Sequence, residues 1–279
     1  MTPMSGAFDW LAVGDVAEEQ GADHHVSLGG GAARLAAHAA LLKARTALVA
    51  KVGEDEAGRR LREALLRLKV DVQWLRSTSS MRTTVWQQPD GTAAERRVER
   101  GADLALRLDE LPARSVRSAL TVVSAYSLSI EPARSAVLGA LDAAAARGGR
   151  SALLLDAELL WWTNARITRR VLEPALALTS TVALRTADAR VLFGEASGRD
   201  VLSLLSDMGP RLIYLVDPDG GVLLRDGRRV HAIPGSDGPP KDRYAGPAAF
   251  WVGLARDLPP RRAAVESVRY AASARRPRV

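Results

Sequence analysis

Short apolar runs of strand length alternate with longer amphipathic segments along most of this 279-residue chain. Apolar runs of about 4–8 residues are typical of strands buried on both faces, whereas helices repeat their apolar positions roughly every three to four residues. The predicted strands of this kind are residues 8–13, 46–52, 70–75, 120–125, 151–156, 181–184 and 212–216. Their alternation with helices predicts an α/β fold, a three-layer αβα sandwich around a mostly parallel central sheet.

Two regions depart from this alternation. Residues 83–88 and 94–99 alternate apolar and polar side chains and flank Pro89-Asp90-Gly91-Thr92, whose proline and glycine favour a tight turn. This hairpin predicts a small accessory sheet. Residues 222–233 contain two further short strands, which we place at one edge of the large sheet. After a long loop, Pro247 is predicted to begin a helix, because proline is favoured in a first helical turn.

The composition excludes several kinds of site and partner. Cysteine is absent, which rules out disulfides, thiolate nucleophiles and cysteine-ligated zinc. No apolar stretch has the length of a membrane span and no leader is recognisable, so we expect a cytoplasmic protein without membrane contact. The formal net charge is +7, but only residues 275–278 form a basic cluster, and no aromatic residues are interleaved with it. Nucleic acid is therefore not an expected partner.

Four segments, in this order, resemble the ribokinase-like (PfkB) carbohydrate kinases. They are residues 29–36, 52–61, 101–103 and 242–250, and the pattern Val-Gly-x-Asp-x-x-Gly-x-x-Leu in the second is the most specific of them. The resemblance implies a single ribokinase-like domain over residues 1–279 with a small β lid, formed by about residues 16–28 and 83–99. The stretch between Gly14 and Gly29 looks too short for the usual lid strands, so we expect a shortened lid.

The family's reaction moves the γ-phosphoryl group of ATP, with Mg²⁺, onto a sugar hydroxyl, which is mostly a matter of positioning and charge stabilisation. Its base is the aspartate of a Gly-Ala-Gly-Asp loop. Those four positions fall here on Ala245, Gly246, Pro247 and Ala248. Alanine accepts no proton, and proline has no N–H for the loop's anion hole. Asp242, which opens the segment, and Asp237 are the remaining candidates for a substitute base.

The resemblance also assigns the binding positions. The sugar site falls on Glu19, Gly30, Gly31 and Arg34, with arginine where the family has asparagine. The nucleotide and anion site falls on Arg185, Asp188, Asp217, Gly220, Ala245 and Gly246. The family's metal-organising Asn-x-x-Glu motif becomes Arg185-Thr186-Ala187-Asp188, so no metal ligand set is predicted. Arg34 and Arg185 have two interpretations: they bind a phosphorylated or acidic ligand, or they pair with local carboxylates such as Glu19 and Asp188.

Three functions from different classes follow. The first is a pseudokinase that binds a small molecule (a sugar, a nucleoside or a phosphorylated or acidic compound) or a protein partner. The alternative is a divergent but active carbohydrate or nucleoside kinase, which would use ATP and Mg²⁺. The third is a structural subunit that forms a homodimer, or pairs with an active paralogue, through the hairpin of residues 83–99, since lid sheets mediate dimers in parts of this family.

Overall fold

The computed structural model describes residues 8–21, 25–88, 97–113, 116–156, 164–236 and 240–279. The strands are β1 (Phe8–Val13), β2 (Ala17–Gly21), β3 (Val26–Gly29), β4 (Thr46–Gly53), β5 (Leu75–Thr78), β6 (Val85–Gln88), β7 (Arg97–Glu99), β8 (Ser118–Ser124), β9 (Arg150–Leu154), β10 (Thr181–Arg185), β11 (Leu212–Val216), β12 (Val222–Asp226) and β13 (Arg229–Ile233). The helices are α1 (Gly31–Leu41), α2 (Glu56–Arg67), α3 (Ala133–Ala146), α4 (Ala165–Ala177), α5 (Thr186–Phe193), α6 (Gly198–Asp207), α7 (Ala245–Ala255) and α8 (Pro260–Ser273).

The larger of the two described sheets has nine strands in the order β13-β12-β11-β10-β9-β8-β1-β4-β5. The pairings from β11 through β1 to β5 are parallel, whereas β12 and β13 are antiparallel. The chain therefore reverses its winding direction next to β1, where β4 lies on one side and β8 on the other. Loops at the carboxyl ends of such central strands are the usual location of ligand sites in α/β folds.

Helices cover both faces of this sheet. One apolar cluster joins the sheet to α1, α2, α7 and α8, through residues that include Leu35, Leu61, Trp251 and Val268. The cluster on the opposite face joins the sheet to α3, α4, α5 and α6, through residues that include Val137, Leu172, Leu192 and Leu205. This confirms the predicted αβα sandwich. Among the described residues, no helix is long and apolar enough to cross a membrane.

The second sheet, which we call the small sheet, has the order β3-β2-β6-β7. β2 pairs antiparallel with β3 and parallel with β6, and β6 pairs antiparallel with β7. Residues 14–29, which looked too short for the usual lid strands, contribute two short strands to the small sheet. Two strands form there, of five and four residues, because a strand rises by about 3.3 Å per residue and so needs few residues to make a ladder. The predicted turn at Pro89-Asp90-Gly91-Thr92 lies outside the described residues.

Two other boundaries differ from the sequence prediction. The strand predicted over residues 70–75 is replaced by an isolated bridge at Asp71 and by β5, which begins at Leu75. The Asp71 carboxylate accepts a hydrogen bond from the backbone N–H of Gln73 at 2.9 Å, which turns the chain there. Helix α7 begins at Ala245 rather than at Pro247. Proline fits this first turn because its missing N–H would have no partner within the helix.

The 52–61 segment ties the small sheet to α2. The Asp55 carboxylate caps α2 by accepting from the Gly58 N–H at 2.8 Å. It also accepts from the N–H of Thr83, two residues before β6, at 2.8 Å, and from the Thr83 hydroxyl at 2.6 Å. A side chain at Gly58 would bring its Cβ into overlap with the Gly53 carbonyl oxygen, so glycine is required by this close approach. The most specific part of the resemblance therefore has a structural role.

Candidate functional site

The site lies at the carboxyl end of β1, where the chain turns into the small sheet and returns to α1. Asp15 is fully buried there and accepts from the N–H of Gly31 at 2.5 Å and of Ala32 at 3.1 Å, at the first turn of α1. The Ser124 hydroxyl also donates to it. Burial raises the pKa of Asp15; these hydrogen bonds oppose the rise, and the nearby charge of Asp156 adds to it. Asp15 thus fixes the start of α1.

Gly30 and Gly31, both predicted to bind substrate, lie directly against this turn. Gly30 has a φ of 86°, and a Cβ there would lie 2.7 Å from the Asp15 carbonyl oxygen. A Cβ at Gly31 would lie 2.9 Å from the Ser124 Cβ. Gly30 is explained by its φ, which only glycine adopts without steric cost, and by its packing against backbone. Gly31 is explained by its close contact with the Ser124 side chain.

Arg34, predicted to line the sugar site, joins two buried carboxylates. Its Nη1 donates to Glu19 Oε2 at 3.2 Å, and its Nη2 lies 2.7 Å from Asp242 Oδ1. Each of these three side chains is at most 1% exposed. The guanidinium also lies 4.4 Å from the ring centre of Tyr244, as a cation–π contact. Arg34 therefore makes the local carboxylate pairing that was the alternative to ligand binding.

Asp242, the first candidate for a substitute base, is contacted by Arg34, by His38 and by the backbone N–H of Tyr244. His38 Nε2 lies 2.9 Å from its Oδ2, and the N–H of Tyr244 donates to its Oδ1 at 3.0 Å. His38 Nδ1 in turn contacts the Tyr270 hydroxyl at 3.1 Å. Burial by itself would raise the pKa of Asp242, but the charge of Arg34 and the hydrogen bond from His38 hold it well below its usual range. A carboxylate with so low a pKa is a poor general base at neutral pH.

Arg276 completes this ion network. Its Nη1 donates to Glu19 Oε1 at 3.0 Å, so that two arginines share the two oxygens of Glu19. Its partner is buried, but the Arg276 side chain is 42% exposed. Arg276 belongs to the basic cluster of residues 275–278, whose sequence gives no signal for this contact. We call Glu19, Arg34, His38, Asp242 and Arg276 the ion network below.

The base position of the family loop lies inside α7. Ala248 is fully buried within the apolar cluster that α7 shares with the sheet. The Ala245 N–H donates to the Asp242 carbonyl oxygen at 3.1 Å, and the Ala248 N–H donates to the Tyr244 carbonyl oxygen at 3.0 Å. Pro247 has no N–H. These three positions therefore offer neither a proton acceptor nor a free backbone donor to an anion.

The predicted metal and phosphate motif forms a self-contained cap at the start of α5. Asp188 Oδ2 accepts from the backbone N–H of Arg185 at 3.1 Å and from its Nε at 3.0 Å, and Asp188 Oδ1 accepts from its Nη2 at 3.2 Å. Thr186 donates to Asp217 Oδ1 at 3.1 Å. Gly220 has a φ of 84° in the turn that follows. Both oxygens of Asp188 thus accept hydrogen bonds from Arg185, and the positive charge of this arginine disfavours a magnesium ion at the same carboxylate.

Asp156 connects the two halves of the site, and sequence reasoning missed it. It follows β9 and is 3% exposed. Its charge contributes to the raised pKa of Asp15 on one side and of Asp188 on the other, although burial is the larger cause for both. An acidic residue at the end of the strand predicted over residues 151–156 was the available signal. The described residues contain no cluster of acidic and histidine side chains suited to a metal ion, and Asp237 lies outside them.

These features define a class of protein. A mostly parallel nine-stranded sheet with a small sheet beside its central crevice is the fold of ribokinase-like small-molecule kinases. The pfkB family carbohydrate kinase model matches residues 9–237, so the chain belongs to this family. The match does not include the 242–250 segment.

The relatives agree with this assignment. A fructokinase from Klebsiella pneumoniae is 27% identical over 238 residues, which are 82% of this chain and 76% of that protein. The aminoimidazole riboside kinase from Salmonella enterica, solved with aminoimidazole riboside and an ATP analogue, has a TM-score of 0.85 at 20% identity and covers 94% of this chain and 92% of its own. The fructokinase from Vibrio cholerae O395, solved with fructose, ADP and calcium, has a TM-score of 0.81 at 21% identity, with 94% and 90% covered.

The 101–103 segment places one more buried acid next to the small sheet. Asp103 is 1% exposed and accepts a hydrogen bond from the Thr84 hydroxyl, which itself accepts from the Gly101 N–H at 2.7 Å. Burial raises the pKa of Asp103 well above its usual value; Thr84 opposes this rise, and the charge of Asp15 adds to it. The protonated form of this side chain is therefore more favoured in the folded protein than in the unfolded chain.

Replacing Asp103 with asparagine should flatten the pH dependence of stability. Because the pKa of Asp103 is higher in the folded than in the unfolded chain, its contribution is complete below about pH 3.9 and is lost as the pH rises through the folded pKa. Each unit of difference between the folded and unfolded pKa of Asp103 changes the free energy of unfolding by about 1.4 kcal/mol. In urea unfolding between pH 5 and 8, the free energy of unfolding of Asp103→Asn should increase relative to that of the wild type as the pH rises. Asp142→Asn, at an exposed position of α3, is the control, and parallel curves for all three proteins would refute the prediction.

Proposed function

We propose that this chain is a catalytically degenerate PfkB protein, in which a ligand-binding, regulatory or partner-binding role has replaced phosphotransfer. The observation that carries the proposal is the state of Asp242, the acid that opens the base loop within the described residues. The family base position is Ala248, and Asp242, which opens the segment, is tied to Arg34 and His38. Asp237 lies outside the described residues.

The expected loss of rate is large. Removing a general base typically lowers a rate by about 10²–10⁴. Removing one donor of an oxyanion-type site lowers it by roughly 10²–10³, and Pro247 lacks such a donor. The two losses need not multiply, because groups that act together are not additive. Either loss alone would still slow an ordinary sugar kinase by about 100-fold or more.

The binding positions support the same proposal. Glu19, where the family has its substrate acid, is paired on one oxygen with Arg34 and on the other with Arg276. A sugar hydroxyl that bonded to Glu19 would compete with these two charge-assisted hydrogen bonds, each roughly twice as strong as a neutral one. The Arg185–Asp188 pair likewise satisfies the motif that would organise magnesium and phosphate.

The alternative is a divergent active kinase, and the fructokinase relatives are the observation that favours it. ATP and Mg²⁺ would then be its cofactors. A homodimer or paralogue contact through the small sheet, and a cytoplasmic location, stay predictions.

A turnover assay separates these functions. Purified protein with ATP, Mg²⁺ and either fructose or aminoimidazole riboside should release ADP no faster than without sugar, whereas typical kinases turn over at about 1–100 s⁻¹. Asp242→Asn serves as the control, because contaminating kinase activity would be the same in both preparations. Sugar-dependent ADP release that saturates and disappears in Asp242→Asn would establish the active kinase and overturn the proposal.

A thermal-shift series with the same compounds tests for a remaining binding role. A ligand that binds only the folded state at 100 times its Kd stabilises it by about 2.7 kcal/mol. Stabilisation by nucleotide or sugar without turnover would make that compound the ligand of the degenerate site. A protein that responds to neither compound would exclude both as ligands of this site.

A further inference from the structure

Helices α4 and α6 border an open groove of about 480 Å³, to which the end of α5 also contributes. Part of its lining is apolar. Phe193, the last residue of α5, and Met208, which caps the end of α6, are half-buried, and Leu204 of α6 is 43% exposed. Large apolar side chains that stay exposed next to one another and are bordered by polar residues are typical of a surface that contacts another molecule.

Three arginines of α4 line the same groove. Arg166, Arg169 and Arg170 are exposed, and none of them makes an ion pair or a hydrogen bond with another described residue. Glu173 and Asp207 also line the groove, so its arginines outnumber its carboxylates. The groove therefore carries positive charge that the described part of the chain leaves available to an anion.

The stability of α4 does not explain these arginines. Residues three and four positions apart are neighbours on a helix surface, and like charges there are destabilising, as for Arg166 with Arg169 and with Arg170. The first turn of α4 contains no acidic residue. Arg166 lies in that turn, where the positive end of the helix dipole opposes a cation. Negative charges from a partner would relieve both effects.

The lining of the groove favours a protein segment over a nucleic acid. Glu173 and Asp207 would repel a continuous phosphate backbone, whereas a peptide can place its carboxylates opposite the arginines alone. Of the described residues that line the groove, only Phe193 is aromatic, and it is half-buried, so nucleic-acid bases would have little to stack on. Leu204 and Met208 instead offer contact area to a large apolar side chain.

We propose that this groove is the docking site for an acidic segment of a partner protein. Carboxylates of the segment pair with the three arginines, and one of its large apolar side chains packs on Leu204 and Met208. Arginine, methionine and aromatic side chains are enriched in protein interfaces, as they are in this groove. Helices α4, α5 and α6 cover the sheet face opposite α1 and α7. The docking site therefore lies apart from the former sugar site and does not depend on the proposed loss of phosphotransfer.

A peptide selection tests the chemistry of the groove without a known partner. A library of random dodecapeptides displayed on phage is first depleted on the variant Arg166→Gln/Arg169→Gln/Arg170→Gln, which we call the groove variant. The remaining phage are then selected on the wild-type protein. Peptides that need the three arginines are retained by this scheme, and their affinities are measured by fluorescence anisotropy with synthetic copies.

The matched control variant is Arg67→Gln/Arg261→Gln/Arg269→Gln. It removes the same charge from exposed positions of α2 and α8, and these arginines likewise make no ion pair with another described residue. Leu204→Gln tests the apolar contact by itself. All of these positions are exposed, and unfolding curves confirm that each variant is folded.

The selected peptides should be rich in aspartate and glutamate and should share a large apolar residue. The groove variant should bind them on the order of tenfold more weakly than the wild type, because three ion pairs with the peptide are lost. Leu204→Gln should bind them roughly threefold more weakly, because apolar contact area is lost. The control variant should bind them as the wild type does.

Three results would overturn the docking site: a selection that yields no acidic peptides, equal weakening in the groove and control variants, and a preference for nucleic acid. The last is a single-stranded RNA dodecamer that binds the wild type more tightly than the selected peptides and loses this binding in the groove variant. None of these readouts depends on turnover. Sugar-dependent ADP release by the wild type would overturn the proposed function and leave the docking site as it stands.

Discussion

Arg34→Leu is expected to lower the free energy of unfolding by roughly 3–5 kcal/mol, which is the usual effect of removing one partner from a buried charge network. Arg34 neutralises both Glu19 and Asp242, and all three side chains are at most 1% exposed. Without it, Arg276 still pairs with Glu19 from outside, but Asp242 keeps only His38 and a backbone N–H. Urea unfolding at pH 7 measures the loss.

The control for this prediction is Arg45→Leu. Arg45 pairs with Asp9 at 3.1 Å, but the two side chains are 58% and 38% exposed. Arg45→Leu should therefore lower the free energy of unfolding by at most about 1 kcal/mol. Adding Glu19→Gln and Asp242→Asn to Arg34→Leu should recover most of the stability, because neutral groups replace the stranded charges. Equal losses for Arg34→Leu and Arg45→Leu would show that the network is not a buried charge site.

The pH dependence gives a second readout of the same network. Because the pKa of Asp242 is held well below its usual range, its stabilisation is complete above about pH 3.9 and is lost as the pH falls towards the folded value. Arg34→Leu removes the main charge that holds this pKa down. Between about pH 5 and 2, the variant should therefore lose stability less steeply than the wild type.

Ala248→Asp should destabilise the protein by at least about 3 kcal/mol and should not restore phosphotransfer. The position is fully buried in an apolar cluster, and a carboxylate placed there would have no charge partner. The helix N-terminus favours an acid by only about 0.3–1 kcal/mol, which is less than this penalty. Ala249→Asp, at the half-buried next position of α7, should lose only about 1 kcal/mol.

This experiment distinguishes two interpretations of the base loop: a site that is closed to sugar, and a site that has lost only its base. If the sugar site is closed as proposed, adding the family's aspartate supplies a base without a substrate position, and ADP release stays at background. A stable Ala248→Asp variant with sugar-dependent ADP release would instead mean that the loop had lost a single group and had kept the rest of the site.

Much of the fold follows from local patterns. Buried strands and amphipathic helices are set by periodicity within single segments, because each element must bury one face or both. The predicted secondary structure is wrong at positions where a single side chain or a short strand ladder sets the local conformation. Asp71 turns the chain inside the strand predicted over residues 70–75, and residues 17–29 form two strands that are individually too short for a periodic signal.

The chemistry of the site divides in the same way. The absence of a base at Ala248 and of an N–H at Pro247 can be read from the sequence, because each is a property of one residue type. The pairing of the remaining acids cannot be read from the sequence, since it depends on partners far apart along the chain. His38 meets Asp242 across 204 positions, and Arg276 meets Glu19 across 257.

The sequence by itself therefore determined the αβα sandwich and the missing base of the 242–250 segment, because both depend on residue type and local spacing. Only the tertiary structure decided that Asp242 is tied up by Arg34 and His38, and that Arg276 covers Glu19. A charged side chain pairs with whichever opposite charge the folded backbone brings within about 3–4 Å of it, and no local pattern records that choice.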